Sequence, residues 1–162
     1  MNLPFLFTSF VFSVITCFTS CSREVKQPSN IEINPAKSDT VSVQMSNKLS
    51  IKVNSFTFSA TLLYNTTSVA FKAMLPLTIK MNELNGNEKY FDLPKSLPTN
   101  SSVPSSIHNG DLMMYGSNTF VLFYKTFSSS YRYTKLGQID DTTKLSEALG
   151  SGDVTVKFEL IP

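Results

Sequence analysis

Tryptophan is missing from the 162 residues of this chain, histidine occurs once and cysteine twice. Both cysteines, Cys17 and Cys21, stand near the start, so no disulfide and no cluster of thiolates can hold the rest together. One histidine, His108, does not make a metal site, and neither a metal nor a cofactor is expected. Glycine is scarce, with six residues, and no run of them cradles a phosphate; Gly150-Ser151-Gly152 reads as a helix stop. Charge of one sign is also lacking. Fourteen basic and 12 acidic side chains leave a net +2 spread along the chain, which excludes the basic patch that nucleic acid needs. With no disulfide, stability has to come from a packed interior, and the roughly 140 residues beyond the first 20 are enough for one domain.

The opening stretch Leu3 to Phe18 is apolar and uncharged, and Arg23 is the first charged side chain. Such a segment ending in small residues reads as a secretory signal. It is shorter than the ~20 apolar residues of a membrane span, and Thr8, Ser9, Ser13 and Thr16 dilute it. Phe18-Thr19-Ser20-Cys21 resembles a bacterial lipobox, in which the cysteine sulfur takes a diacylglyceryl group and the chain is cut before it. The resemblance implies a signal over residues 1–20 and a lipid anchor at Cys21 as the contact with membrane. It implies a location in the cell envelope, on the periplasmic side or the cell surface. A plain cleaved signal and an uncleaved anchor are the alternatives. Residues 21–47, polar and broken by Pro28 and Pro35, read as a flexible tether.

A domain is expected over residues 48–162. Leu49, Ile51 and Val53 alternate with polar residues, as do Phe56, Phe58, Ala60 and Leu62 after the turn Asn54-Ser55, which predicts a hairpin. Asn65, Thr66 or Thr67 can cap a short helix whose inner face is Val69, Ala70, Ala73 and Met74, ended by Pro76. Leu77, Ile79 and Met81 predict a strand, Asn85-Gly86 a tight turn, and Tyr90, Phe91 and Leu93 the next strand. Pro94 to Asn109 is a long irregular stretch, either functional or a surface excursion. Strands follow at Leu112 to Tyr115, Thr119 to Lys125 and Tyr133 to Ile139. Asp140 or Asp141 should then cap a second helix with inner residues Leu145, Ala148 and Leu149, and Val154, Val156, Phe158 and Leu160 close the sheet. Many short strands with two helices predict a mainly β protein, a small closed barrel with two short capping helices.

In this order Gly110-Asp111-Leu112, Tyr115-Gly116-Ser117-Asn118, the strand Phe120 to Tyr124 and Leu136-Gly137-Gln138-Ile139 resemble the bacterial cyclophilin-like domain family. Leu75-Pro76-Leu77 and Tyr90-Phe91-Asp92-Leu93-Pro94 fit as well. Against true cyclophilins, Gly116-Ser117-Asn118-Thr119-Phe120 is similar to their Gly-Ser-Gln-Phe-Phe segment, which implies that Phe120 stands near the proline pocket. The Phe-His-Arg segment of cyclophilins is not matched. Its arginine donates to the prolyl nitrogen and lowers an isomerisation barrier of ~18–20 kcal/mol. Residues 61–93 hold no arginine, Arg132 lies in another loop, and the indole that flanks the pocket is absent with tryptophan. A lysine lacks the planar fork that would replace that arginine.

The resemblance therefore implies a binding module for a peptide or small ligand, without efficient prolyl isomerase activity. An envelope prolyl isomerase or folding helper is one alternative and a structural envelope lipoprotein another. Phe91, Tyr115, Phe120, Tyr124 and Tyr131 are the candidate lining of a ligand groove, although strand aromatics such as Phe91 and Phe120 more often face the core. A Ser–His pair around His108, and a carboxylate pair among Glu83, Glu88 and Asp92, are weighed against a plain loop histidine and solvated turn residues.

Overall fold

The computed structural model describes residues 46–162; the expected signal, Cys21 and nearly all of the expected tether lie outside them. Eight strands and two short helices follow one another as β1 (Lys48–Val53), β2 (Phe56–Leu62), α1 (Thr66–Lys72), β3 (Leu77–Leu84), β4 (Glu88–Asp92), β5 (Asp111–Tyr115), β6 (Thr119–Phe123), β7 (Tyr133–Ile139), α2 (Leu145–Leu149) and β8 (Val154–Leu160). The strands close into a barrel in the order β1-β2-β7-β5-β6-β4-β3-β8, and every pairing is antiparallel. β8 completes the ring by pairing with both β1 and β3.

The period-2 alternation of the sequence becomes the inside and outside of this barrel. Leu49, Ile51 and Val53 of β1 and Val154, Val156 and Phe158 of β8 point inward and are buried. Asn85 and Gly86 take φ of 55° and 67° in the three-residue connection, Asn85 to Asn87, that joins β3 to β4, the positive-φ pair a tight hairpin turn needs. At the β2–β7 contact the backbones come so close that a Cβ on Gly137 would lie 2.4 Å from the Thr61 carbonyl oxygen, so only glycine fits there.

Both helices plug the barrel, with inner faces set differently from what spacing suggests. Asn65 caps α1, its side chain accepting from Ser68 N at 2.8 Å. The buried face of α1 is Thr67, Ser68, Phe71 and Lys72; of the expected inner residues Ala70 and Met74 are partly buried against the core, while Ala73 is exposed and Val69 is 57% exposed. The polar members turn inward because they meet acceptors. Ser68 Oγ donates to the Leu136 carbonyl at 2.9 Å, Thr67 Oγ1 to that of Pro98 at 2.6 Å, and Lys72 Nζ to Asn47 Oδ1 at 2.7 Å. Phe71 enters the barrel and stacks on Phe120 at 4.8 Å, and both rings meet the edge of Phe158.

Leu145, Ala148 and Leu149 bury the inner face of α2, and Gly150 ends it with a φ of 60°. Neither Asp140 nor Asp141 caps it. Asp141 Oδ1 accepts from Thr143 N at 2.8 Å in the preceding turn, and Lys144, with a φ of 71°, stands at the helix start. Asp140 is drawn away by Lys48 Nζ at 2.9 Å and the Thr61 hydroxyl at 2.6 Å.

Candidate functional site

β4, β5 and β6 carry a second hydrophobic cluster on the outside of the barrel. On β6, Phe120 and Leu122 join the interior, while Val121 and Phe123 join Ile107, Met113 and Tyr133 outside, with Tyr90 and Phe127 against them. Each outward position follows from register. Asp92 pairs with Thr119, Thr119 with Tyr115, and Tyr115 with Tyr133, which sets four side chains in one row across the sheet. Tyr90, Val121 and Met113 make the next row.

Over this face the segment 127–131 forms a roof. Phe127 exchanges backbone hydrogen bonds with Ile107 at 2.9 and 3.1 Å, and Tyr133 exchanges them with Ser102 at 3.0 and 2.9 Å. Arg132 adds a side-chain bond to the Ser101 carbonyl. The long irregular stretch before β5 thus fastens both ends of the roof. Between roof and sheet runs an open groove of about 590 Å³. Its walls are aromatic, from Tyr90, Tyr115, Phe127, Tyr131 and Tyr133, and its polar groups include Glu88, Asp92, Thr119 and Ser128 to Ser130.

Of the five residues expected to line such a groove, Tyr115 and Tyr131 do so. Their rings meet edge to face at 6.1 Å, and Tyr115 lies 5.7 Å from Tyr133. Phe91, Phe120 and Tyr124 do not line it. Phe120 is fully buried in the barrel and Phe91 packs against the same core. The reason is parity: Met114 pairs with Phe120 and Tyr115 with Thr119, so a groove that includes Tyr115 takes Thr119 and Val121 from β6 and leaves Phe120 inside. Tyr90, Phe127, Tyr133, Glu88 and Asp92 were not expected in the lining. Outward alternation from Tyr115 marks Tyr90 and Tyr133 once the strand order is known; no local signal marks Phe127.

Tyr124 belongs to a polar plug at one end of the barrel. Lys89, 0% exposed on the inner side of β4, donates to Glu83 Oε2 and to the carbonyls of Gly150 at 2.9 Å and Gly152 at 2.6 Å. Tyr124 donates its hydroxyl to Glu83 at 2.8 Å, with Lys89 Nζ 5.3 Å from its ring centre. Burial works against the Glu83 charge, but Lys89, Tyr124 and the Gly86 N–H outweigh it and hold the carboxyl below its ordinary range. Burial and the adjacent Glu83 push the Tyr124 phenol up to about 12. Glu83 and Glu88 therefore face different sides, and Glu88 is no partner in a carboxylate pair. Burial against the outer cluster, with the Glu83 charge nearby, raises the Glu88 pKa to about 7. Burial and the Glu88 charge likewise raise that of Tyr133.

A second hollow of about 280 Å³ holds Ser102, Ser105, Ser106, His108, Tyr133 and Lys135 among its lining. His108 Nδ1 lies 3.8 Å from Asp111 Oδ2, beyond hydrogen-bond reach, and it is the His108 backbone N–H that donates to this oxygen, at 2.9 Å. Lys135 Nζ neutralises the buried Asp111 at 2.8 Å. Ser106 Oγ donates to the Ile107 and Phe127 carbonyls, at 3.3 and 3.4 Å, so the arrangement is a loop anchor. Among the described residues no group of His, Cys, Asp or Glu is placed to hold a metal, and no helix is long and apolar enough to cross a membrane.

No curated protein matches the chain. Among solved structures it is similar to the solution structure of a hypothetical protein from Archaeoglobus fulgidus, with 18% identity over 72% of this chain and 96% of that one and a TM-score of 0.49. The profile of the Cyclophilin-like family matches residues 51–159, which is most of the chain and all but the outermost residues of the barrel, and the chain belongs to that family.

Proposed function

We propose that this protein is a binding module that takes a peptide or small molecule in the groove beneath residues 127–131 and does not isomerise prolyl bonds efficiently. The observation that carries the reading is the groove itself: about 590 Å³ of space walled by four tyrosines and a phenylalanine and roofed by a segment fastened at both ends. Aromatic walls with a few polar groups are how ligand sites are commonly built.

Its lining residues include no arginine, lysine or histidine. A prolyl isomerase needs a donor aimed at the amide nitrogen as resonance breaks; of the cations nearest in sequence, Lys125 stands beside Gly86 of the β3–β4 turn and is not among the lining residues, and three others are engaged elsewhere. Lys89 is held on the inner side of β4, Lys135 by Asp111, and Arg132 by the Ser101 carbonyl. In the same reading the protein is exported and held at the cell envelope by acyl chains on Cys21, supported by the apolar stretch Leu3 to Phe18 and by Phe18-Thr19-Ser20-Cys21.

The test joins two measurements on one preparation. A proline-peptide isomerisation assay against a true cyclophilin is expected to give no rate above background, and a clear rate would overturn the non-catalytic reading. Ligand screening by intrinsic fluorescence is expected to find compounds that perturb tyrosine emission, which no tryptophan obscures in this chain. Loss of that perturbation in Tyr115→Ala would assign it to the groove.

A further inference from the structure

Most carboxylates of the barrel are neutralised at short range. Lysines lie within ion-pair distance of Glu83, Asp111, Asp140, Glu147, Asp153 and Glu159. Among the described residues Glu88, Asp92 and Asp141 have no such partner, and the first two stand in the groove. Asp141 is occupied by its own turn. Asp92 has one oxygen engaged by the Thr119 hydroxyl at 2.6 Å. The groove thus carries two acidic side chains with no cation at ion-pair distance among the described residues, Glu88 ionised in part of the molecules near pH 7 and more fully beside a bound cation, in a chain whose net charge is +2.

We infer that the ligand of this groove is cationic, an extended peptide with lysine or arginine side chains; the inference rests on the groove being a ligand site. Three features of the site converge on it. The first is charge complementarity, since the lining offers two carboxylates and no cation. The second is the wall. An ammonium or guanidinium within ~6 Å of a ring centre gains from the face of an aromatic ring, and Tyr115 and Tyr131, 47% and 63% exposed, are rings that a ligand can reach.

The third is length. Glu88 and Asp92 lie on the same face of β4 with Tyr90 between them, and four residues of strand separate them by roughly 13 Å. A monoamine is too short to meet both carboxyl groups, whereas a short extended peptide with basic side chains reaches both ends. A bound metal ion does not fit, because two carboxylates so far apart cannot share one ion.

The full chain, held in a nonionic detergent, would be titrated with acetyl-(Gly-Lys)₄-amide and separately with acetyl-(Gly-Gln)₄-amide, and binding followed by amide NMR shifts. The inference expects the lysine peptide to bind at least tenfold more tightly, with the largest shifts at Glu88, Asp92, Tyr115 and Tyr131. Glu88→Gln/Asp92→Asn should remove that preference while leaving the spectrum folded. Tyr131→Ala, at an exposed position, should weaken the lysine peptide severalfold. Equal binding of the two peptides in the groove would overturn the cationic assignment and leave the groove as a ligand site. Shifts confined to other surfaces, or none with either peptide, would overturn the cationic assignment for this peptide class. The groove reading itself would then fall only if the fluorescence screen also found no ligand there.

Discussion

Glu88 and Lys89 are neighbours on one strand and have opposite fates. Lys89 points into the barrel, loses all contact with water and is satisfied by a carboxylate and two carbonyls. Glu88 points outward into the groove with no ion-pair partner among the described residues, and its pKa is raised to about 7. The same division runs through β6, where Phe120 is locked among rings while Val121 faces a groove with an open mouth. One face of the sheet is completed by its own chain, while on the other a groove stays open.

Breaking the inner side should cost most. Phe120→Ala removes a ring that contacts Phe71 and Phe158 and should destabilise the protein by about 3–5 kcal/mol in urea denaturation. A cost near zero would mean that the interior is not packed as described. Lys89→Met comes next. It leaves the Glu83 carboxylate and the Gly150 and Gly152 carbonyls short of a donor, and about 2–4 kcal/mol of stability should be lost in the same measurement.

The outer face should respond in the other direction. A carboxyl whose pKa is raised by folding keeps its proton in the native state while the unfolded chain releases it. Its contribution is fully present below about 4.5 and is lost as pH rises through about 7. Glu88→Gln has no proton to release, so it should match the parent at pH 4 and exceed it at pH 8. One pKa unit is worth ~1.4 kcal/mol, and partial exposure reduces the gain to about 1–2 kcal/mol. Melting curves at the two pH values would reveal this, and parallel curves would show that Glu88 is well solvated. The smallest effect belongs to Tyr131→Ala, which should change stability by less than about 0.5 kcal/mol because the ring is mostly exposed. If thermal denaturation showed a larger loss, Tyr131 would be part of the fold and not an open wall.

Much of the architecture was legible because alternation and turn chemistry are local. Asn85-Gly86 located a hairpin, the run Asn65-Thr66-Thr67 a helix start that the structure assigns to Asn65, and the strands from β5 to β8 fall within a residue or two of where their apolar alternation places them. The groove was less legible because it depends on which strands are neighbours. Tyr115 and Phe120 are five residues apart and both aromatic, yet the turn between them puts their side chains on opposite faces. Nothing within that segment distinguishes the two; the pairing does. The α1 face was misread for a related reason, since Ser68 and Lys72 turn inward only because Leu136 and Asn47 arrive from elsewhere in the chain. Lys89 was invisible as a core residue because a lysine in an alternating strand reads as a solvent position until its three acceptors are assembled.

The closure of the sheet has one more consequence. β8 bonds to β1 on one side and β3 on the other, so the ring closes on itself and leaves one-sided stretches, such as Phe56–Ser59 of β2, which bonds to β1, and Leu77–Met81 of β3, which bonds to β8, in place of a whole free edge strand. A neighbouring chain therefore meets short one-sided stretches at most, while the outer rows and the roof present side chains. Substitution in the roof or on the outer rows can change the groove while the ring of hydrogen bonds stays as it is.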